Sequence, residues 1–333
     1  MAATMDDVAA RAGVSRASVS LALRHSPKIS PARRAEIQKA AAELGYRPNT
    51  NASRLARTKT GTIGVVLSDL HNSLFAEMVD GLAAALEGEP EQFLIASGFH
   101  DKVRERAAVE SFLSLRVDGL ALMGSQLPAE EIQRVAQEIP TVIAGRRVEG
   151  VDSVSVDDVA GAALATEHLI TLGHRRIAHI DGGEGAGAQL RRGAFLDTMA
   201  RHGLATQASV IGGDYTERGG RTAALSLLTL HQPPTAIFAA NDLSALGALS
   251  AARSLGIQVP SGLSIVGFDN TKVSQSYFVS LSTIDYPRFE MGQRALEQLR
   301  MRILEQSKEA VSIILAPDLV ERDTTTVISA DRR

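Results

Sequence analysis

The chain opens on two short stretches of helical periodicity placed back to back. Between Thr4 and Leu23, Val8, Ala9 and Ala12 make one small apolar face, and Val19, Ala22 and Leu23 make a second. Thr4 and Asp7 have the spacing of a capping box, and Gly13 is free to take the positive φ that ends a helix. Val14 can plug the corner and Ser15 can cap the next helix. The pattern predicts a helix-turn-helix, with Arg16, Ala17, Ser20 and Leu21 outside its apolar face. A third helix is expected after Ser30-Pro31, with Ile37, Ala40, Ala41 and Leu44 as its stripe and Gly45 as its stop. Tyr46 to Asn49 reads as extended, since a residue before proline disfavours the helical region. Asn49 can cap the segment TNASRLAR, which is too short to be a stable helix alone in water. Thr58 to Gly61 reads as a linker.

From Ile63 the period changes. The apolar runs IGVVLSD, FLIASG, GLALMG and TVIAGR alternate with amphipathic helical stretches, which predicts a parallel, doubly wound sheet. The alternation restarts at Asp157, with strands expected at RIAHIDG, SVIGG, AIFAAND and LSIVGFDN and a late helix over Pro287–Gln306. The expected fold is an all-α head followed by an α/β body of two similar lobes with parallel sheets. The head should span 1–60. The first lobe should cover about 61–157 and 288–315, and the second about 158–287 and 316–333. Two such lobes bind small ligands in the cleft between them, outside the carboxyl ends of the strands.

Charge sharpens this division. The whole chain of 333 residues carries a formal net charge of −3. Residues 1–60, however, hold 11 Lys and Arg against 4 Asp and Glu, and the remainder is acidic. A basic head on an acidic body fits a DNA-binding module joined to a regulatory one. The absence of Cys excludes disulfides and thiolate chemistry. With neither a signal-like start nor an apolar run long enough to span a bilayer, the expectation is a cytoplasmic protein with no membrane partner.

Six segments together resemble the lactose-repressor (LacI/GalR) family of transcription regulators: VAARAGVSRASVS, LGYRPNTNASRL, IGVV, LGHRRIA, FAAND and VGFDN. The resemblance covers nearly the whole chain. It implies a helix-turn-helix head, a hinge helix near 49–57 and a body similar to periplasmic sugar-binding proteins. It also implies a homodimer on a near-palindromic operator, with DNA affinity changed by a small effector. The tail after Asp323 has no leucine heptads, which favours a dimer over a coil-tied tetramer. No cofactor and no metal are implied.

In the head, Thr4, Ser15, Arg16, Ala17, Ser20, Leu21, Arg24 and Ser30 are the residues expected at the DNA. Ser15 and Ser30 are expected on phosphates, and Arg16 and Ala17 on bases. Lys28, Arg33 and Arg34 join Arg24 as phosphate partners on charge alone. Leu21 departs from the family, most of which carry a base-reading Arg there. Leucine cannot hydrogen-bond to guanine, so it touches a thymine methyl or reads nothing, and Arg16 is left with most of the hydrogen-bonded readout. Asn49, Ala52 and Leu55 match the hinge, with Leu55 as the minor-groove wedge. Around the effector the likeness places Asn72, Ser73 and Phe75 on the first lobe. Arg191, Tyr215, Asn241, Asp269 and Tyr286 belong to the second, with Arg192 an alternative register for Arg191.

The effector class expected is a sugar or sugar derivative, since carboxylates and amides suit hydroxyls and aromatic faces suit a ring. A nucleobase acting as corepressor is the alternative. A periplasmic binding protein and a dinucleotide-dependent enzyme are weaker readings. The glycines of GGEGAGA, Gly182–Ala188, do not fit G-x-G-x-x-G, so that segment reads as a flexible loop. His174 and His179 lack nearby ligand partners and read as structural.

Overall fold

The computed structural model describes residues 3–23, 26–46, 59–306 and 309–328. They fall into two units, Met1–Thr60 and Gly61–Arg333.

In the first unit, α1 (Met5–Ala12), α2 (Arg16–Leu23) and α3 (Pro31–Glu43) enclose a small core. Val8, Ala9, Val19, Ala22, Ile37, Ala40 and Ala41 are buried there. The caps follow the chemistry of the sequence. Asp7 N–H donates to Thr4 Oγ1 (3.2 Å) while Thr4 N–H donates to Asp7 Oδ2 (2.8 Å). Gly13 ends α1 at φ 62°. Ser18 N–H donates to Ser15 Oγ (3.2 Å), and Arg33 N–H donates to Ser30 Oγ (3.3 Å). Leu44, expected in the apolar stripe, is exposed instead, and Tyr46 packs against the core from beyond the helix end.

The second unit holds two six-stranded sheets. The first contains β1 (Thr62–Leu67), β2 (Gln92–Ser97), β3 (Gly119–Met123), β4 (Thr141–Ala144), β5 (Asp152–Val156) and β11 (Ser312–Leu315), in the order β11-β5-β4-β3-β1-β2. All its pairs are parallel. The second contains β6 (Ile177–Ile180), β7 (Ala208–Ile211), β8 (Ala236–Ala239), β9 (Ser264–Phe268), β10 (Ser282–Asp285) and β12 (Asp318–Val320), in the order β12-β10-β9-β8-β6-β7. Here β12 runs antiparallel to β10, a departure from the expected all-parallel sheet. The chain passes between the sheets after β5, after β10 and after β11.

Helices α4 (Ser73–Ala85), α5 (Lys102–Ser114), α6 (Ala129–Glu138) and α11 (Arg288–Ile303) belong with the first sheet. Helices α7 (Asp158–Thr171), α8 (Ala188–Arg201), α9 (Glu217–Leu228) and α10 (Asp242–Ser254) belong with the second. The late helix begins after Pro287, close to where its sequence pattern begins. It packs backbone to backbone on α4. A Cβ on Gly81 would lie 1.9 Å from Phe289 O, and one on Gly292 would lie 1.8 Å from Met78 O. Neither neighbour is a flexible side-chain end, so a methyl can enter only by moving a helix.

We therefore expect Gly81→Ala to lower the thermal midpoint by several degrees, an overpacking cost of about 1–3 kcal/mol. An unchanged midpoint in a melting experiment would mean that the two helices are not held this close.

Candidate functional site

The two sheets turn the carboxyl ends of β1, β2 and β3 toward those of β6, β8 and β9. A cleft lies between these ends. Seven of the eight residues expected at the effector line it: Asn72, Phe75, Arg191, Tyr215, Asn241, Asp269 and Tyr286. Ser73 does not. It begins α4, which Asn72 caps by accepting Leu74 N–H on Oδ1 (3.0 Å), and Leu74 takes the place on the wall.

Arg191 is the centre of the second-lobe wall. It is 5% exposed, on the inner face of α8. Its Nε donates to Asp158 Oδ1 (2.7 Å), and its Nη1 donates to the Ala240 carbonyl and lies 4.0 Å from Asp269 Oδ1. The guanidinium stacks 3.6 Å above the Phe268 ring. Arg192, the alternative register, points away and pairs with Asp181 at 3.6 Å.

Asn241 does two jobs at once. Its Oδ1 caps α10 by accepting Ser244 N–H (2.8 Å), and its Nδ2 donates to the Tyr215 carbonyl (3.0 Å). Tyr215, at φ 64°, donates its hydroxyl to the Ala186 carbonyl (2.7 Å). The glycine-rich segment lies against this ring. A Cβ on Gly182 would meet Tyr215 Cζ at 2.2 Å, and one on Gly185 would meet its Cε2 at 2.3 Å. Two glycines of Gly182–Ala188 thus serve an aromatic wall, where the sequence suggested only a flexible loop.

Asp269 follows β9 at φ 107° and accepts the Tyr286 hydroxyl on Oδ1 (3.0 Å). Burial pushes its carboxyl up to about 7 against the pull of Arg191, and Asp242 nearby adds to the rise. Asp242 itself is a structural carboxylate. It accepts Thr271 N–H (2.7 Å), Thr271 Oγ1 (2.8 Å) and Thr283 Oγ1 (2.6 Å), so it ties the loop after β9 to β10. Burial raises it to about 6 despite these bonds.

The sequence reading missed Ser68, His100 and Gln126 on the first-lobe wall. Each stands just past the end of a strand, β1, β2 and β3 respectively, and strand-end position alone could have flagged them. His174 and His179 are structural. His174 is buried between Thr235 Oγ1 (3.0 Å) and Ser264 Oγ (2.9 Å). His179 Nδ1 donates to the Phe238 carbonyl (2.9 Å), and burial lowers its pKa to about 4.

In the head, Arg16 and Ala17 are exposed at the start of α2, and Arg16 makes only a loose 3.8 Å pair with Asp6. Ser20 and Leu21 are half-buried. Thr4, Ser15 and Ser30 are exposed at helix starts. Of the cations expected on phosphates, Arg34 is turned inward. Its Nη2 donates to the Ser26 carbonyl (2.8 Å) and holds the turn before α3. Arg33 pairs with Glu36 (2.9 Å), and Lys28 is exposed. Arg24, Asn49, Ala52 and Leu55 lie outside the described residues. Among the described residues, no helix is long and apolar enough to cross a membrane.

A helix-turn-helix head and a two-lobed body with a cleft between its sheets define a DNA-binding transcriptional regulator, and comparison with known proteins agrees. Residues 4–49 match the model of bacterial regulatory proteins of the lacI family, and residues 166–325 match a periplasmic binding protein-like domain. The chain is 33% identical over 332 residues to the HTH-type transcriptional repressor CytR of Escherichia coli (strain K12), covering 98% of this chain and 97% of that one. It is 32% identical to the regulator GalR of the same organism, covering 99% and 97%. A crystal structure of the lac repressor dimer bound to operator and the anti-inducer ONPF matches with a TM-score of 0.87 at 28% identity, covering 98% of this chain and 100% of that one. The chain belongs to the lacI family of bacterial regulatory proteins.

The raised carboxyls have a consequence for stability. The folded state keeps protons on Asp269 and Asp242 that the unfolded chain releases near pH 4. Their contribution is therefore fullest below that point and is lost as pH rises through about 6 to 7. We expect Asp269→Asn to melt close to the wild type at pH 4 and increasingly above it as pH rises to 8. Equal melting temperatures at both pH values would show that Asp269 ionises at little cost.

Proposed function

We propose that the protein is a ligand-responsive repressor, acting in the cytoplasm as a homodimer, whose affinity for a near-palindromic operator is set by a small hydroxylated effector in the cleft. The effector class is a sugar or sugar derivative. The observation that carries this is the convergence of Arg191, Asn241 and Asp269 with Phe75, Tyr215 and Tyr286 on one cleft. These groups offer donors, acceptors and aromatic faces together, the set that a polyol ring needs. A second copy is supported by Tyr277 and Phe278, which are fully exposed side by side, and by Leu94 and Ile95 on the outer strand β2.

In the head, Arg16 and Ala17 read bases, Ser15 and Ser30 hold phosphates, and the segment 49–57 is the hinge with Leu55 as its wedge. An effector can shift DNA affinity only by binding one lobe arrangement better than another. Arg288 links the cleft to both lobes. It donates to Glu77 of α4 (2.8 Å), to Asp285 (2.8 Å) and to the carbonyl of Asp269. A ligand that moves Asp269 therefore moves the anchor of α4.

Two experiments test the two halves separately. Asp269→Ala is expected to keep operator binding and lose the effector response in a gel-shift titration, and normal induction would remove Asp269 from the pocket. Selection of operators from random DNA is expected to show relaxed preference in Arg16→Ala, a loss of about 1–3 kcal/mol at one base pair. In the same selection Leu55→Gly should weaken binding to all sequences. Unchanged base preference in Arg16→Ala would leave the readout elsewhere.

A further inference from the structure

The first-lobe wall carries a chain of polar contacts that the resemblance did not point to. His71 clamps one carboxylate oxygen of Asp69, with backbone N–H and Nδ1 both 3.0 Å from Oδ1. Burial would raise that carboxyl, but the His71 bonds outweigh it and hold Asp69 below its usual value. The other oxygen, Oδ2, faces His100 Nε2 at 3.3 Å, an electrostatic contact. On the far side of the ring, His100 Nδ1 lies 3.2 Å from Ser68 Oγ and 3.5 Å from Gln126 Nε2. Ser68, Gln126 and His100 all line the cleft.

The backbone is bent to make this possible. Phe99 and His100 both sit in the left-handed region, at φ 52° and 55°. His100 N–H is tied to the Ser68 carbonyl (3.0 Å). Neither residue is glycine, and two consecutive side chains held at positive φ are a conformation the surroundings must impose. What the bend achieves is to bring the imidazole between Asp69 and Ser68.

The carboxylate decides which ring nitrogen carries the proton. An N–H is favoured toward Asp69, so Nε2 is protonated and Nδ1 is an acceptor. Nδ1 has one lone pair, and Ser68 Oγ is the nearer donor at 3.2 Å against 3.5 Å for Gln126 Nε2, so the Ser68 hydroxyl gives its only proton to His100. What Ser68 then offers the cleft is acceptor capacity alone.

We infer that His100 is a specificity-determining positioning residue, which makes the Ser68 hydroxyl an acceptor and so selects a neutral ligand that presents a hydroxyl donor to it. The inference rests on the reading of the cleft as the effector site. A phosphate or carboxylate placed against the Ser68 hydroxyl brings only acceptors, and oxygen would face oxygen. The cation lining the cleft, Arg191, is on the other lobe and is already bonded to Asp158 and the Ala240 carbonyl. Sugar phosphates are therefore disfavoured relative to the free sugars.

The test is calorimetric titration of the full chain with D-glucose, D-galactose, D-fructose, D-ribose and uridine, and with their phosphates. Deoxyfluoro analogues of the best ligand follow, because fluorine removes the donor and keeps the size. The wild type is expected to prefer the neutral compound by at least about tenfold, and to lose at least about tenfold on fluorination at one hydroxyl. In His100→Leu the Ser68 hydroxyl is free to turn and donate, so the fluorine penalty should shrink several-fold. His100→Asn, which keeps an acceptor oxygen beside Ser68, should restore it. A merely structural role would weaken hydroxyl and fluoro ligands alike and leave their ratio unchanged. An unchanged ratio in a His100→Leu protein that still binds operator overturns the inference, as does a phosphate ligand that binds as tightly as its free sugar. Those results leave the effector cleft standing. If none of the compounds binds a protein that binds operator, the sugar-cleft reading fails, and this inference fails with it.

Discussion

A buried guanidinium must be matched by anions and acceptors, and in this protein the match for Arg191 organises the cleft. Its partners come from three places in the chain. Asp158 begins α7, where the chain has just crossed from the first sheet. The Ala240 carbonyl ends the β8 segment, and Asp269 ends β9. Losing Asp158, the carboxylate 2.7 Å from the guanidinium, would strand a buried charge, which costs several kcal/mol. The same guanidinium stacks on Phe268 and lies 5.8 Å from the Tyr215 ring, so charge and aromatic wall are positioned together. Asp269 is the least settled member. Its carboxyl is pulled toward neutrality by burial, and it is available to a ligand hydroxyl in a way that Asp158 is not.

Among the described residues two ion pairs reach from one lobe to the other, Lys102 with Glu184 and Arg288 with Asp285, and their surroundings decide which one matters. Lys102 and Glu184 pair at 2.7 Å across the mouth of the cleft, but Glu184 is largely exposed. Such a pair is screened by salt and contributes little by itself. Arg288 is 7% exposed and is satisfied from both sides, by Glu77 on the first lobe and by Asp285 and the Asp269 carbonyl on the second. Breaking it leaves a buried cation unmatched. Any lobe rotation that a ligand induces must therefore carry Arg288 along or exchange its partners. Under the proposed ligand response, Arg288 is the transmission point between ligand and lobe.

The parts of the molecule readable from sequence are those where a residue acts on its near neighbours. Thr4 with Asp7, Gly13, Ser15 and Ser30-Pro31 mark helix ends because capping is local chemistry. The apolar runs of β1, β3, β4 and β8 were legible because strands buried on both faces need continuous hydrophobicity. Strands β5, β10, β11 and β12 were not. DSVSV and STID are short and half polar, and they become strands only because a distant partner supplies the ladder. Likewise Arg34 and Lys28 look alike in sequence, yet one guanidinium is spent on the Ser26 carbonyl while Lys28 stays exposed.

By itself, then, the chain determined its modular plan, its family and the identity of most side chains on the second-lobe wall, since these depend on local periodicity and on motifs at strand ends. The tertiary structure decided what those side chains are free to do. It chose Arg191 over Arg192, replaced Ser73 by Leu74, pressed Gly182 and Gly185 against Tyr215, and brought Asp69, His100, Ser68 and Gln126 into one polar chain. Residues 68, 100 and 126 lie on three separate strand ends, and only the pairing of β1 with both β2 and β3 makes them neighbours. Hydrogen-bond direction, burial and pKa depend on such neighbours, and they are set when the sheet closes.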